Sequence, residues 1–236
     1  MEKKNDIMFI GDIHGDTNTI LDIYKRYDLK DMSMIQVGDF GLGFDTIYSN
    51  KESLHWLNRC LKGRNIILYI VRGNHDNPSL FKNDIFEFSN IKLIHDNDVI
   101  NIGGHNILFL GGAISIDRTM RKDGKTYWHD EMYVLDENRL RDMRGIDIVV
   151  SHSAPSSMYP YNTNGFGSIV NSYLKYDDKL KDDLLKERAD LQKAFNIIKE
   201  NNNIKYYIYG HFHDSHIEVV DGVTEVLLDI NGVYNL

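Results

Sequence analysis

Half of the ten histidines in this chain fall within five short polar blocks. The blocks are Gly11-Asp12-Ile13-His14-Gly15-Asp16, Gly38-Asp39-Phe40-Gly41, Gly73-Asn74-His75-Asp76, Ser151-His152-Ser153-Ala154-Pro155 and Gly210-His211-Phe212-His213. Carboxylates, imidazoles and an amide oxygen brought together make a hard-to-borderline site, suited to Mn, Fe, Zn or Ni. The glycines beside them permit tight turns and close approach of backbone to a ligand. A lone Asp-x-His or His-x-His is a weak signal. Five blocks in order, each directly behind an apolar run, are a strong one.

Those apolar runs read as the strands that must position the blocks. Ile7–Ile10, Met34–Val37 and Ile66–Val71 alternate with amphipathic stretches at Thr17–Tyr27 and Glu52–Leu61. Strand–helix alternation predicts a partly parallel sheet covered by helices. In such sheets the carboxyl ends of the strands converge on one rim, where ligands bind. The middle, Ile91–Ile116, carries short strands and glycine turns and predicts an antiparallel meander. Further on, the pattern predicts a helix over Glu131–Met143, a strand over Ile146–Val150 and a long charged helix over Asp177–Asn201. A strand over Ile204–Tyr209 and a hairpin turning at Asp221-Gly222 complete the chain. In the long helix the apolar stripe is Leu180, Leu184, Leu185, Leu191, Ala194, Phe195 and Ile198, and the charge run Lys179–Asp190 reads as its wet face. Tyr159–Gly167 reads as a linker or mobile loop.

The 236 residues suit one α/β domain spanning 1–236, with 42% hydrophobic and 26% charged residues. A net charge of −8 argues against a broad cationic face for duplex nucleic acid. Bound cations would invert the local field, so phosphate chemistry stays open. The single cysteine, Cys60, excludes an internal disulfide and a thiolate cluster, and reads as a small core residue on a helix. No run approaches the ~20 apolar residues of a membrane span, and the chain reads as cytoplasmic.

The ordered set D-x-H, G-D, G-N-H-D/E, H, G-H-x-H resembles the calcineurin-like metallophosphoesterases, and among them the small single-domain bacterial and phage members. The match runs from Asp12 to His213. The resemblance implies a four-layer α/β sandwich, two mixed β-sheets face to face with helices outside. It implies that Asp12, His14 and His213 hold one divalent metal ion and Asn74, His152 and His211 a second, with Asp39 bridging. Manganese is the first expectation, with Fe, Zn or Ni as alternatives. His75 is the implied acid, oriented by Asp76. Two cations about 3.5–4 Å apart can share a hydroxide and clamp a phosphoryl oxygen during in-line displacement. The departing alkoxide still needs a proton, which a histidine titrating near neutrality can give. The expected partner is a small phosphorylated substrate such as a nucleotide or cyclic nucleotide.

Two departures bear on substrate. Leu42 stands where many members carry Asn or an acid, and no Arg follows Gly38-Asp39 as it does in the Ser/Thr protein phosphatases. A non-catalytic scaffold of the same fold and a nuclease acting on DNA ends are the other classes. His75 speaks against the first, and the acidic charge against the second.

A second unusual stretch runs from Gly111 to Glu131. Either Arg118 and Arg121 clamp phosphate while Tyr127 and Trp128 stack on a base, or the loop is structural and Trp128 caps the core. His55, His95 and His105 read as structural or solvent-facing, His129 belongs to that loop, and His216 is a candidate support for the metal motif.

Overall fold

The computed structural model describes residues 6–83, 85–161 and 165–236. Its first sheet contains β1 (Ile7–Ile10), β2 (Met32–Gln36), β3 (Ile66–Ile70), β4 (Ile91–Leu93) and β11 (Val233–Asn235), in the order β11-β1-β2-β3-β4. Strands β1 to β4 are mutually parallel and β11 runs antiparallel to β1. The second sheet contains β5 (Val99–Ile102), β6 (His105–Leu110), β7 (Ile148–Ser151), β8 (Tyr206–Tyr209), β9 (His216–Val220) and β10 (Val223–Leu227), ordered β5-β6-β7-β8-β10-β9. There β6, β7, β8 and β10 are parallel, with β5 and β9 antiparallel at the edges.

Period-two alternation explains the layers. Ile7 and Phe9 of β1, Ile35 of β2, Ile148 and Val150 of β7 and Ile208 of β8 share one buried cluster between the sheets. Their neighbours point outward. Met8, Ile10 and Met34 pack under α1 (Asn18–Arg26) and α2 (Ile47–Gly63). On the far side Val149, Tyr207 and Tyr209 pack under α4 (Glu137–Asp142) and α6 (Leu180–Asn201). Two mixed sheets face to face with helices outside are the architecture that the motif order implied.

Several local expectations are corrected. The stretch 91–116 is not one meander, because β4 pairs in parallel with β3 of the first sheet and the chain then crosses to the second. The helix expected over 131–143 is shortened to α4. Glu131 is spent inside, accepting from the Ser115 amide and hydroxyl, and Asp136 caps α4 through the Arg139 amide. The charge run on α6 is not wholly wet: Glu187 and Arg188 are buried, and Leu185 is exposed instead. Two short helices, α3 (Pro78–Lys82) and α5 (Ser168–Tyr173), lie where none was expected. Of the expected loop 159–167, residues 162–164 lie outside the described residues. The β9–β10 turn falls at Asp221-Gly222, both at positive φ as a tight hairpin requires. No helix of the described residues is long and apolar enough to cross a membrane.

Candidate metal centre

All five polar blocks leave the carboxyl ends of parallel strands: β1, β2 and β3 in one sheet, β7 and β8 in the other. Face-to-face packing brings the two rims together. The loops are then knitted by backbone bonds, His14 N to Asp39 O at 2.9 Å and Gly15 N to Phe40 O at 2.9 Å. Asp39 also ties the third block, its Oδ1 accepting from the His75 amide at 2.7 Å.

Two groups of ligand atoms result. Asp12, His14, Asp39 and His213 form one and Asp39, His152 and His211 the other, the atoms of each lying within 4.8 Å of one another. Asp39 belongs to both. Asn74 joins the second group, its Oδ1 lying 3.2 Å from His152 Nε2. Of these ligands, Asp12 and His152 are completely buried. His14, Asp39, His211 and His213 all sit at positive φ, between 44° and 72°. Non-glycine residues there store backbone strain, of order 1 kcal/mol or more each, and the surrounding loops enforce it. Two glycines are sterically required. A Cβ on Gly38 would stand 2.2 Å from His152 Nδ1, and one on Gly73 2.2 Å from Asp39 Oδ1.

The donor set fits a cation. His152 Nδ1 donates to the Val37 carbonyl at 3.0 Å, which fixes the ring with Nε2 beside Asp39 Oδ1 at 3.1 Å and Asn74 Oδ1 at 3.2 Å, where a cation could replace the Nε2 proton. His14 Nε2 and His213 Nε2 face each other at 3.0 Å beside the Asp12 carboxylate. Burial by itself favours neutral Asp39, yet the His152, His75 and His14 imidazoles hold its carboxyl well below the usual range. Burial likewise opposes charge on His152, but Asp39 and Asp12 outweigh it and raise the imidazole to about 9. A field that draws a proton so strongly draws a metal ion as well.

The supports were only partly legible. Asp76 does not orient the His75 ring. Its carboxylate accepts from the amides of Phe40, Gly41, Leu42 and Gly73, at 2.8–3.2 Å, and so clasps the second and third loops. His75 is instead stacked on Phe44, centroids 5.5 Å apart, and its Nε2 meets Arg121 Nη2 at 2.7 Å. Burial first, then Arg121, lowers His75 to about 4 despite Asp39, below the near-neutral value expected of it. Asn74 is aimed by a relay the motifs did not reveal: its Nδ2 donates to Ser115 Oγ, which donates to Glu131.

The 111–131 stretch divides. Arg121 lines the cavity beside Asp39, Asn74 and His75, and Asp117 holds its Nε at 2.6 Å. Arg118 is taken up by Asp177 and Asp183, each at 2.6 Å, which ties the loop to the start of α6. Trp128 is buried, edge-on to Phe44, and Tyr127 packs against His129. Outside the blocks, His55 packs on Phe88, His105 binds Asp147 and His216 stacks on Tyr159.

The pattern describing calcineurin-like phosphoesterases matches residues 6–215. The chain belongs to that family. It is therefore a phosphoester hydrolase. No curated protein sequence matches it. Among solved structures it is similar to a phosphopantetheinyl hydrolase from Mycobacterium tuberculosis, at 14% identity and TM-score 0.50, covering 100% of this chain and 97% of that one. A dimetal phosphatase from Danio rerio is more distant, at 13% identity and TM-score 0.43, covering 98% and 89%. At such identities the likeness to the mycobacterial enzyme is one of fold alone. Family membership and the clustering of these Asp and His side chains together point to divalent metal binding, and the two groups are the candidate site.

Proposed function

We propose that this phosphoesterase hydrolyses small phosphorylated molecules with two divalent cations held side by side on Asp39. The observation that carries the reading is the sharing of Asp39 between two otherwise separate ligand groups. Asp12, His14 and His213 complete one set, and Asn74, His152 and His211 the other. Manganese is the first expectation, followed by Fe, Zn or Ni, since the donors are all nitrogen and oxygen. When bound, such a pair supplies Lewis acidity at the phosphoryl oxygens and lowers the pKa of a coordinated water toward neutrality.

The chain's own residues do the rest. Arg121 faces the same cavity as Asp39 and Asn74, and its guanidinium is the natural contact for a phosphoryl oxygen. Once Arg121 turns to the phosphate, His75 Nε2, the atom that Arg121 now touches, is free to take a proton from solvent and pass it to the departing oxygen. The incoming phosphate charge opposes the burial and the Arg121 repulsion that hold His75 low. Asp76 acts on His75 only through the backbone, by fixing the loop that carries it. Arg118 is assigned to holding the loop rather than the substrate, because both of its arms are engaged by carboxylates. The buried layer shared by both sheets supports treating residues 1–236 as one domain, and the lone cysteine supports a reducing, cytoplasmic setting.

Turnover of p-nitrophenyl phosphate and bis(p-nitrophenyl) phosphate tests this directly. Activity on at least one should vanish on chelation and return with Mn²⁺. Turnover indifferent to chelation, or absent with all four metals, would overturn the proposal.

A further inference from the structure

Three hydrophobic clusters account for the layers of the sandwich, and a fourth stands apart from them. Val170 of α5 and Leu180 and Leu184 of α6 are buried in it with Ile114, and Ile116, Tyr161, Phe166 and Tyr173 pack against it. Satellite clusters of this kind form under long connections. This one is not closed. Ile116, Tyr161, Phe166, Val170, Tyr173 and Leu184 line a cavity of about 350 Å³, whose other end is lined by Asp39, Asn74, His75, Arg121, His211 and His213.

The cavity is divided by chemistry. Its near end carries carboxylate, amide, imidazole and guanidinium groups that suit a phosphate. At its far end the charged groups are already spent. Glu187 and Arg188 line it, but each is more than nine-tenths buried. Glu187 accepts from Ser153 Oγ at 2.7 Å and from the Ile114 amide, and its Oε2 is sealed from solvent. Arg188 Nη2 donates to the Pro155 and Met158 carbonyls at 2.8 and 2.6 Å, and its Nη1 is sealed likewise. The guanidinium lies 5.8 and 5.4 Å from the centroids of the Tyr161 and Phe212 rings, so its charge serves the wall rather than the space inside. The Tyr161 hydroxyl is taken by the Gly167 amide. Ile169 of α5, 68% exposed, adds an apolar side chain to the same wall. Phe212 joins the two ends. It stands between His211 and His213 in sequence, and its ring packs edge-on against His211 at 5.0 Å and Tyr161 at 5.9 Å.

We propose that this cavity seats a hydrocarbon group, so that the substrates this phosphoesterase favours are phosphoesters of apolar aryl or alkyl alcohols. The proposal rests on the phosphoesterase reading above and names its substrate class. Continuity identifies the occupant: the apolar wall opens directly onto the phosphate end, so a hydrocarbon arm of the substrate completes the fourth cluster. The volume, about 350 Å³, lies within the ~300–1,000 Å³ of small-molecule sites, which are mostly apolar with a few polar groups that fix orientation. A hydrocarbon gains there by the area it removes from water. A ribose or a base would surrender the hydration of hydroxyl, N–H and carbonyl groups against a wall whose charges are engaged. An unpaired polar group costs more than a made hydrogen bond returns. The small phosphorylated substrate is thereby narrowed to an apolar ester in place of a nucleotide.

The n-alkylphosphonates test this, because their C–P bond is not hydrolysed and chain length is their only variable. Inhibition of p-nitrophenyl ester turnover with Mn²⁺ gives Ki for ethyl-, butyl- and hexylphosphonate, ribose 5-phosphate and the four ribonucleoside 5′-monophosphates. Ki should fall about two- to fourfold per methylene, the worth of each CH₂ taken from water. Hexylphosphonate should bind about tenfold or more tighter than ribose 5-phosphate or any nucleotide. Phe166→Ser opens the wall to water and should lower the ethyl-to-hexyl Ki ratio about fivefold or more. Should that partly buried change impair folding, Ile169→Ser, at an exposed position of the same wall, should lower the ratio about threefold. A Ki independent of chain length, a nucleotide or ribose 5-phosphate that binds more tightly than hexylphosphonate, or a ratio unmoved by both variants would overturn the apolar cavity. Calorimetric binding of the same phosphonates keeps two failures apart. Absence of p-nitrophenyl ester turnover with every metal counts against the phosphoesterase reading, while binding that strengthens with chain length still supports the cavity.

Discussion

Replacing His75 with alanine removes a ring that stacks on Phe44 and meets Arg121, while the side chains grouped around Asp39 keep their places. Metal content should therefore survive, and kcat should fall roughly 10²–10⁴-fold, the usual worth of a proton donor. The loss should be smaller for p-nitrophenyl esters, whose leaving group barely needs protonation. Metal loss in His75→Ala, seen by elemental analysis, would show that the ring is a ligand. At this scale the sequence revealed which side chains gather but not every contact they make. The five blocks were legible because each follows an apolar strand, and strand ends share a rim. The contacts of Asp76 with the second loop, of Arg121 with His75 and of Asn74 with Ser115 were not, because they join residues 34 to 46 positions apart. No local pattern encodes such pairings.

Among elements, the clearest departures share one cause: a charged residue that a helical wheel sends to solvent is used inside. Glu131 interrupts the expected helix because its carboxylate serves Ser115, and Glu187 and Arg188 leave the wet face of α6 for the cavity. Likewise β4 was legible as a strand, but not its sheet, since three residues, Ile91-Lys92-Leu93, carry no information about their partner. Glu131 also gives a pH prediction. Burial raises its carboxyl from the usual 4.5 to about 8, in spite of the Ser115 hydrogen bonds. Between these values the folded protein binds more protons than the unfolded chain, so stability contributed at this site is full below pH 4.5 and is lost as pH rises toward 8. Glu131→Gln should flatten that part of the stability profile. The urea midpoint, followed across the window for both proteins, measures it, and an unchanged slope in the variant would show that Glu131 is ionised throughout.

The whole molecule is two sheets placed so that one buried carboxylate is reached from both. Asp39 belongs to the first sheet's rim, while His152, His211 and His213 arrive from the second, so the two ligand groups exist only when the sheets are packed. With a net charge of −8, the proposed centre would draw phosphate through the cations it holds and a few arginines, which favours small substrates over polyanions. Metal stoichiometry is the most direct measurement of this arrangement. Elemental analysis of active, Mn²⁺-loaded enzyme should give two ions per chain, and Asp39→Asn should lower metal content and turnover together. Fully active enzyme holding one ion or none, or an Asp39→Asn variant that keeps both ions and full activity, would contradict the shared-carboxylate centre.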